Sequence, residues 1–286
     1  MEIEKAKVLG FCCGVRRAVK MIETELSAGE PLAALGAIVH NSAVVNELAA
    51  RGARPVSDLA QVTERVVAIT AHGAPMQIFS QIEERGLRIV DTTCPIVRKV
   101  QQRAADLAEA GFTIVICGEK SHPEVKGILS WTDGKGIASL SADLELPPTN
   151  RGIALIAQTT IKQEFFADFA SKLACRYNNI LEIKIIDTIC PETSRRYKEI
   201  EELAKRTDAI IVIGSRGSAN TRNLAEIATT GNSMTYHIER ASEIDPTWIE
   251  GVKKIGITAG TSTPDRLIRE VMKTIKRLAN FQSAGK

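Results

Sequence analysis

The 286-residue sequence lacks long apolar runs and blocks of basic residues. No window approaches the roughly 20 apolar residues that a membrane-spanning helix needs. The first residues, MEIEKAKVLGF, contain no apolar stretch of signal-peptide length. The net charge is only +3, with 37 basic and 34 acidic residues spread along the chain. We therefore expect a cytoplasmic protein that binds neither membranes nor nucleic acid.

Two common cofactor patterns are also missing. No G-x-G-x-x-G follows a strand-like segment, so the sequence has no dinucleotide-binding fingerprint of the usual kind. The six cysteines are not grouped in the close pairs that are typical of zinc ribbons. In a reducing cytosol, isolated cysteines are more often metal ligands, nucleophiles or buried apolar residues than disulfide partners.

The sequence does contain a regular alternation of apolar and amphipathic segments. Strands are predicted for the short apolar runs at 32–40, 65–71, 87–91, 112–118, 152–157, 182–187, 209–215 and 254–260. Helices are predicted for the amphipathic segments at 15–26, 41–52, 75–86, 95–111, 161–177, 192–206, 220–229 and 263–279. Apolar strands between amphipathic helices indicate parallel sheets covered on both faces, and hence the α/β class.

One short motif occurs twice, as DTTCP at 91–95 and as DTICP at 187–191. Each copy comes after an apolar run, so its cysteine is predicted to lie between a strand and a helix. A third cysteine, near the N-terminus, shares one spacing with these two. Each of the three is followed 28 positions later by a polar residue at another such joint, and the pairs are Cys12 and His40, Cys94 and His122, and Cys190 and Ser218.

A second polar corner comes after each of these positions, again between a predicted strand and a predicted helix. Its residues are His72, Thr159 and Ser262. This order predicts three α/β domains at 14–95, 96–191 and 192–286. No cysteine comes after the third unit, so we expect the N-terminal segment 1–13 to complete it. Around a pseudo-threefold axis, the three domains would form a trefoil that directs its cysteines and polar corners into one central cavity.

The predicted position of the cysteines suits metal binding. In open parallel sheets, ligands bind beyond the carboxyl ends of the strands. Helix N-termini at that edge offer backbone N–H groups and stabilise a thiolate. Proline directly after Cys94 and Cys190 fits the first helical turn, where no N–H is needed. Three such thiolates could hold an iron–sulfur cluster with one open iron or a zinc ion with one open position. A chain without metal is the third alternative.

Nine motifs occur in order across nearly the whole chain: GFCCGVRRAV, VHN, AHG, DTTCP, SHPEV, AQTT, DTICP, GSANTRNL and TAGTSTPD. Together they closely resemble the family of 4-hydroxy-3-methylbut-2-enyl diphosphate reductases, iron–sulfur enzymes of the non-mevalonate isoprenoid pathway. The resemblance implies a trefoil of three α/β domains around a [4Fe–4S] cluster. Its implied ligands are Cys12, Cys94 and Cys190, with the fourth iron open.

The resemblance also implies a reaction. 4-Hydroxy-3-methylbut-2-enyl diphosphate would lose its allylic hydroxyl group as water at the open iron, giving isopentenyl and dimethylallyl diphosphate. Glu124 is implied to deliver protons, and Thr159 to lie beside the reacting hydroxyl group. The residues implied to bind the diphosphate are His40, His72, His122, Thr160, Ser218, Asn220 and Ser262. The implied electron donor is a ferredoxin or a flavodoxin, and we expect a monomer.

The chemistry of these residue types agrees with the implied reaction. Cleavage of a C–O bond needs a proton on the departing hydroxyl group, and a carboxyl group in a closed pocket can supply it. The corners contain few Lys or Arg, so we hypothesise that protonated histidine supplies the positive charge for the diphosphate. The sequence departs from the family pattern at Gly217 and Ala219, which removes possible side-chain contacts. We therefore expect weaker hydrogen bonding to the diphosphate.

Several residues near the motifs have simpler predicted roles. Cys13 is expected to be a small buried residue or to lie behind the metal ligands. Cys117, at the end of an apolar run, and Cys175, in a predicted helix, are expected in the core. Asp91 and Asp187 precede their cysteine corners and are expected to be capping or turn residues.

Two other functions fit parts of the pattern. One is a related reductive dehydroxylase that acts on another allylic diphosphate. The other is a regulatory protein that holds zinc or a cluster and binds phosphorylated ligands without turnover. Glu124 and Thr159 distinguish the enzymes from the regulatory protein, because a phosphate binder needs hydrogen-bond donors but no placed carboxyl group.

Overall fold

The computed structural model describes residues 1–147, 149 and 151–284. Its strands coincide with the predicted apolar runs, most of them trimmed at the ends, and less apolar strands join them. In chain order the strands are β1 (Glu2–Lys5), β2 (Leu32–Leu35), β3 (Ala53–Val56), β4 (Val66–Ile69), β5 (Arg88–Asp91), β6 (Phe112–Cys117), β7 (Gly136–Ser139), β8 (Gly152–Ala157), β9 (Ile183–Ile185), β10 (Ala209–Ile213), β11 (Thr235–Ile238) and β12 (Lys254–Ala259).

The helices occupy the predicted amphipathic segments, with one addition. In chain order they are α1 (Cys13–Ser27), α2 (Ser42–Ala50), α3 (Met76–Glu84), α4 (Pro95–Glu109), α5 (Pro123–Ser130), α6 (Gln163–Arg176), α7 (Pro191–Lys205), α8 (Ala219–Gly231) and α9 (Asp265–Ala284). The addition is α5, whose eight residues are too few for a clear helical period. In the part of the chain that the structure describes, no helix is both long enough and apolar enough to cross a membrane.

The strands form three four-stranded sheets, and the α/β class is confirmed. The strand orders are β3-β2-β4-β5, β7-β6-β8-β9 and β11-β10-β12-β1. Strand pairs within the described residues are all parallel. The three orders share one pattern, in which the two inner strands are the most apolar. The inner strands of each sheet therefore end at the same edge of that sheet, and the polar corners follow them there.

The third sheet takes its last strand from the start of the chain. β1 pairs in parallel with β12, so that Glu2 lies opposite Lys254 and Lys5 opposite Ile257. In this sheet β1 occupies the place that β5 and β9 occupy in the other two. The segment before Cys12 thus has the same strand position as the segments before Cys94 and Cys190.

The outer strands β3, β7 and β11 were not predicted from the sequence. β3, for example, exposes Arg54 and Pro55 in its middle. An edge strand is paired on one side only, so it tolerates charged residues and proline, which protect the edge from further pairing. Such strands lack the continuous apolar run on which the prediction depended.

The third sheet shows why the inner strands are apolar throughout. On one face, Ile211 packs in a cluster with Val271 of α9. On the other face, Ile210 packs with Leu203 of α7 and Leu224 of α8. Full burial of such a side chain contributes about 1.5–3 kcal/mol. Both faces of the sheet are therefore covered, and the buried strands fix the positions of the loops that follow them.

The described chain divides into two compact units. The terminal unit contains Met1–Arg16, Val39–Asn46 and the chain from Pro191 onward, and the central unit contains Arg17–Ile38 and Glu47–Cys190. The third sheet belongs to the terminal unit, and the first two belong to the central unit. The domain boundaries at 14–95, 96–191 and 192–286 and the trefoil arrangement remain predictions. Residues 285 and 286 of the third predicted domain lie outside the described residues.

Candidate active site

Each predicted metal-binding cysteine lies between the end of a strand and the start of a helix. Cys12 lies between β1 and α1, Cys94 between β5 and α4, and Cys190 between β9 and α7. Helix α4 begins at Pro95 and α7 at Pro191. Both prolines therefore occupy the first helical position, where the missing N–H costs nothing. The predicted strand-to-helix joints are confirmed at all three cysteines.

The main chain holds the three cysteines in the same way. The backbone N–H of each donates to a carbonyl group in the loop after the neighbouring strand. The donor and acceptor pairs are Cys94 and Ala71 at 2.9 Å, Cys190 and Thr159 at 2.9 Å, and Cys12 and Thr261 at 3.1 Å. Because this bond joins a cysteine corner to a second polar corner, it fixes the position of one relative to the other within each sheet.

The surroundings of the cysteines suit a thiolate ligand. The Cys12 sulfur accepts a hydrogen bond from the Val15 N–H at 3.4 Å, within the first turn of α1. Cys94 is the N-cap residue of α4. A helix N-terminus stabilises the ionised thiol, which is the form that binds metal. Cys12, Cys94 and Cys190 are all partly exposed. The donor chemistry of these residues therefore fits an iron–sulfur cluster or a zinc ion.

Neither unit contains all three cysteines. Cys12 belongs to the terminal unit, whereas Cys94 and Cys190 belong to the central unit. Among residues 1–147, 149 and 151–284, no group of three or more His, Cys, Asp or Glu side chains is arranged to hold a metal ion. The case for a metal therefore depends on the chemistry and the repeated position of the cysteines.

Within the central unit, the structure brings Glu124 and Thr159 into contact. The Glu124 carboxyl group accepts two hydrogen bonds from Thr159, from the backbone N–H at 2.7 Å and from the hydroxyl group at 2.8 Å. Glu124 is 3% exposed and Thr159 6% exposed. Burial raises the pKa of the Glu124 carboxyl above its ordinary value, and the two hydrogen bonds from Thr159 oppose this shift. The pair is thus a buried carboxyl group with a net tendency to hold a proton.

His122 is the N-cap residue of α5 and is bonded to the backbone of Glu124. Its Nδ1 accepts a hydrogen bond from the Glu124 N–H at 3.2 Å, which satisfies one of the N–H groups left without a partner at a helix start. The rings of His122 and His72 lie edge to face, with their centroids 5.8 Å apart. Two of the three predicted diphosphate-binding histidines are therefore neighbours in this unit.

Thr160 is oriented by Gln158, a residue that the sequence analysis did not single out. The Gln158 side-chain amide donates to the Thr160 hydroxyl group at 3.0 Å, and its oxygen accepts from the Glu119 N–H at 3.0 Å. Gln158 is buried. Its place in the AQTT motif was the only indication of this role. Gln158 thus links the loop after β8 to the loop after β6.

In the terminal unit, Ser218 and Asn220 lie at the start of α8. Ser218 is the N-cap residue and accepts a hydrogen bond from the Thr221 N–H at 3.4 Å. The Asn220 side-chain oxygen accepts from the Thr261 N–H at 3.1 Å. Both are buried, and within the described residues the Asn220 Nδ2 has no hydrogen-bond partner. Asn220 therefore has a buried donor available for an anionic ligand.

Ser262 and His40 also lie together in the terminal unit. The Ser262 hydroxyl group donates to the His40 carbonyl oxygen at 2.9 Å. Ser262 is 3% exposed and comes after β12, while His40 precedes α2. Four of the predicted diphosphate-binding residues thus belong to this unit, namely His40, Ser218, Asn220 and Ser262.

The two departures from the family pattern lie beside these residues. Gly217 is exposed, and its N–H donates to the Ser215 hydroxyl group at 3.2 Å. Ala219 is the first residue of α8. Neither residue offers a side-chain donor. Ser218, which lies between them, and Asn220, which follows Ala219, are both buried. The expected weakening of diphosphate binding stays a prediction.

The prediction for Cys175 was wrong, because it was expected in the core but is exposed. Cys13 is exposed as well, which contradicts a buried position, while the alternative that it lies behind the metal ligands stays a prediction. Cys175 lies on the solvent side of the amphipathic helix α6, while Phe169 and Leu173 fill its buried side. The prediction for Cys117 is confirmed, because it is buried at the end of β6. Burial raises the pKa of the Cys117 thiol to about 12, so this thiol is unsuited to bind metal.

The turn role predicted for Asp91 and Asp187 is confirmed. The Asp91 side chain accepts from the Thr93 N–H at 3.0 Å, and the Asp187 side chain accepts from the Ile189 N–H at 2.9 Å. In both cases an aspartate bonds to the backbone two residues further on, which is the Asx-turn pattern. These turns shape the chain immediately before Cys94 and Cys190.

Arg196 is a buried charged residue that the sequence analysis missed. Its guanidinium group donates to the Ala259 carbonyl at 3.0 Å and to Glu192 at 3.0 Å. Arg196 is 2% exposed, and Ala259 ends the strand that leads to Ser262. The helical spacing could have indicated its burial, because Arg196 lies on the same buried side of α7 as Ile200.

The fold and these corners define an α/β protein of parallel sheets, with thiols at helix N-termini and a buried carboxyl–hydroxyl pair. Comparison with known proteins gives the particular family. Residues 3–276 match the model of a protein family described as LytB protein. The chain belongs to the LytB family.

Relatives at about 40% identity cover nearly the whole chain. A protein of Dehalococcoides mccartyi (strain CBDB1), named 4-hydroxy-3-methylbut-2-enyl diphosphate reductase, is 40% identical over 98% of this chain and 99% of its own length. A protein of Aquifex aeolicus (strain VF5) with the same name is 37% identical over 99% of this chain and 98% of its own length. The family to which the sequence motifs pointed is therefore confirmed.

Solved structures agree with this assignment. One is that of (E)-4-hydroxy-3-methyl-but-2-enyl diphosphate reductase, described as the terminal enzyme of the non-mevalonate pathway. It is 37% identical, with a TM-score of 0.70 over 97% of this chain and 100% of its own. Another is that of E-1-hydroxy-2-methyl-but-2-enyl-4-diphosphate reductase from Plasmodium falciparum. It is 27% identical, with a TM-score of 0.87 over 96% of this chain and 87% of its own.

Proposed function

We propose that this chain catalyses the reductive dehydroxylation of 4-hydroxy-3-methylbut-2-enyl diphosphate to isopentenyl and dimethylallyl diphosphate. Two electrons and two protons enter, the allylic C–O bond breaks, and the oxygen leaves as water. The substrate assignment is supported by the names of relatives that match this chain along 98% and 99% of its length. The activity would make the protein an iron–sulfur oxidoreductase.

The observation that carries the proposal is the buried contact between Glu124 and Thr159. A protein that only binds diphosphates needs donors, and a buried carboxyl group beside them would weaken anion binding whenever it ionised. Here burial raises the pKa of the Glu124 carboxyl, which favours the protonated form. That form is the one required of an acid that protonates a departing hydroxyl group.

The hydrogen bonds suggest how the proton is held. In the ionised state, the Thr159 hydroxyl group donates to Glu124 at 2.8 Å. When Glu124 is protonated, its O–H can donate to the Thr159 oxygen instead, because a hydroxyl group is both donor and acceptor. The Thr159 hydrogen is then released to donate to the substrate oxygen. The Thr159 N–H, which bonds Glu124 at 2.7 Å, keeps the carboxyl group in place throughout.

We propose that Cys12, Cys94 and Cys190 hold a [4Fe–4S] cluster, which when bound would pass electrons from the donor one at a time and would offer an open iron as a Lewis acid. The choice of a cluster over zinc rests on the family resemblance and on the need for electrons, since zinc has no redox chemistry. The chain contributes thiols at helix N-termini and the three cysteine N–H bonds to neighbouring loops.

We propose that the diphosphate is bound by side-chain hydrogen-bond donors and helix N-termini. In the central unit these are His72, His122 and Thr160, with the N-terminus of α5. In the terminal unit they are His40, Ser218, Asn220 and Ser262, with the N-terminus of α8. Helix N-termini favour anions through their free N–H groups and dipole.

The remaining expectations form part of the proposal. They are three domains at 14–95, 96–191 and 192–286 in a trefoil arrangement, a cytoplasmic location, a monomeric state, and a ferredoxin or flavodoxin as electron donor. Each expectation can be tested independently of the chemical step.

The first experiment is to purify the protein without oxygen and to measure iron, acid-labile sulfide and the visible spectrum. We expect roughly four iron and four sulfide per chain. The second step is to add 4-hydroxy-3-methylbut-2-enyl diphosphate with a chemical reductant and to measure both products. Colourless protein that binds zinc, even after anaerobic reconstitution with iron and sulfide, would contradict the proposal. So would a full cluster without product.

A further inference from the structure

His122 is held by hydrogen bonds that define which of its ring nitrogens carries a proton. Its Nδ1 lies 3.2 Å from the Glu124 backbone nitrogen. A backbone N–H can only donate, so Nδ1 must be the acceptor and cannot carry a hydrogen while this bond exists. An imidazole whose Nδ1 is an acceptor is neutral, with its single hydrogen on Nε2.

The rest of His122 is equally restrained. Its backbone N–H donates to the Glu119 carbonyl at 2.9 Å, and its carbonyl accepts from the Lys126 N–H at 3.0 Å. The side chain is 8% exposed. Against it lie the ring of His72, at 5.8 Å between centroids, and the Glu124 residue that it caps. A change of ring orientation would therefore break the cap of α5.

We propose that His122 is a positioning residue whose two ring nitrogens have separate tasks. Nδ1 caps α5 and fixes the backbone of Glu124, and the Nε2–H donates to the diphosphate of the ligand. The inference rests on the proposed function for the identity of the ligand. In this proposal His122 is an uncharged hydrogen-bond donor. The protonated histidine that supplies positive charge for the diphosphate is therefore His40 or His72.

The physical reason is that a protonated His122 could not perform both tasks at once. An imidazolium is a donor at both nitrogens, so Nδ1 would face the Glu124 N–H donor to donor. The first turn of α5 would lose its cap, and the backbone of Glu124 would lose its restraint. A neutral imidazole keeps the carboxyl group positioned while still offering one donor to the ligand.

Two amide substitutions separate the tasks. In His122→Asn the side-chain oxygen can still accept from the Glu124 N–H, because asparagine is a preferred N-cap residue, but no atom reaches the Nε2 position. In His122→Gln the longer amide can place an N–H near the Nε2 position, but the cap is lost. The control is Asp58→Ala, which removes the side chain that accepts from the Ala60 N–H at 2.7 Å at the start of a short 3₁₀ turn in the same unit.

Binding of inorganic diphosphate to the cluster-loaded protein is measured by calorimetry, and stability by urea unfolding. We expect His122→Asn to lose roughly tenfold to a hundredfold in affinity with near-normal stability. We expect His122→Gln to keep its affinity within a few-fold and to lose roughly fivefold in the unfolding equilibrium. Asp58→Ala should lose stability alone. If the two His122 variants lose affinity and stability in parallel, the division of tasks is wrong.

Turnover and spectroscopy complete the test. With the allylic substrate, His122→Asn should raise KM at a near-normal kcat, whereas His122→Gln should lower kcat at a near-normal KM. The ¹⁵N spectrum of histidine-labelled protein with diphosphate bound should show one protonated and one bare nitrogen in His122, and two protonated nitrogens would overturn the proposal. Binding, stability and the spectrum need no turnover. They can therefore support the inference even if the wild-type protein forms no product.

Discussion

The corner that contains Glu124 and the corner that contains Asn220 have the same construction but different chemistry. Each residue lies two positions after the N-cap of a helix. Each uses a side-chain oxygen to accept the backbone N–H of a threonine in the loop after the neighbouring strand. The acceptor bond is 2.7 Å from Thr159 to Glu124 and 3.1 Å from Thr261 to Asn220.

The correspondence extends to the cysteines that are proposed to bind metal. The carbonyl group of Thr159 accepts from the Cys190 N–H, and that of Thr261 accepts from the Cys12 N–H. One corner lies in the second sheet and the other in the third, and both sheets have the same strand order. The repeated fold therefore supplies one scaffold twice, with a helix start, a threonine loop and a cysteine in each copy.

The side chain on that scaffold decides what the corner can do. Glu124 offers a second oxygen, which accepts from the Thr159 hydroxyl group, and burial raises the pKa of its carboxyl. Asn220 offers an N–H₂ group that cannot ionise and that has no partner within the described residues. A carboxyl group can hold and release a proton, whereas an amide can only donate. In the proposed function, the same corner thus serves proton transfer in one copy and anion binding in the other.

The strongest test removes the cysteine from each corner. We expect Cys190→Ala and Cys12→Ala to lose the cluster and all product formation, because three thiolates are the whole protein contribution to its ligation. Iron and sulfide analysis after anaerobic reconstitution measures this. The matched control is Cys175→Ala, which removes an exposed thiol and should retain full iron content. A variant of Cys12 or Cys190 that keeps its iron would break the correspondence between the corners.

The next test turns the carboxyl corner into an amide corner. We expect Glu124→Gln to retain the cluster and diphosphate binding and to lose roughly 10²–10⁴-fold in kcat, the usual contribution of a general acid. Glutamine can keep the bond from the Thr159 N–H, so the loss reflects the proton. Product formation by chromatography measures it. Glu119→Gln, which changes a carboxyl group in the loop before α5, is the control and should turn over normally. Near-normal turnover by Glu124→Gln would refute the proton-donor role.

The reverse exchange places a carboxyl group in the binding corner. Asn220→Asp keeps the oxygen that accepts from the Thr261 N–H, but it replaces the buried N–H₂ donor with an oxygen. We expect affinity for inorganic diphosphate to fall roughly tenfold to a hundredfold, measured by calorimetry. Asn223→Asp adds the same charge one turn further along α8, where the side chain contacts the Tyr197 hydroxyl group, and should have little effect on affinity. Equal losses in both variants would point to general charge repulsion rather than a specific contact.

The smallest effect is on stability. Since the pKa of Glu124 is raised in the folded protein, the unfolded chain releases this proton first as the pH rises above the ordinary value of 4.5. The folded state then holds more protons than the unfolded state, so its stability falls as the pH rises, by at most about 1.4 kcal/mol per pH unit.

The Glu124→Gln variant cannot make this contribution. We therefore expect the free energy of unfolding of the variant, relative to that of the wild type, to increase from pH 5 to pH 7. Urea unfolding at several pH values measures this difference. Parallel curves for the two proteins would mean that Glu124 is ionised to the same extent in both states.

Much of the scaffold could be predicted from local sequence. The inner strands are apolar because both faces of each sheet are buried, so β6, β8, β10 and β12 were all predicted close to their final bounds. The prolines after Cys94 and Cys190 marked the first turns of α4 and α7 correctly. The edge strand β3 and the short helix α5 were missed, because neither contains a long enough hydrophobic pattern. Cys175 was misplaced because a helix has a solvent side that composition alone does not reveal.

By itself, the sequence determined the α/β class, the positions of the three cysteine corners and the family. These depend on residue types and spacings that are local in the chain. Tertiary structure alone decided that Glu124 meets Thr159, 35 residues away, and that His122 accepts from the Glu124 backbone through Nδ1. It also decided that Arg196 is buried against Ala259. The physical reason is that desolvation and hydrogen-bond geometry depend on which atoms are neighbours in space, and chain spacing does not specify this.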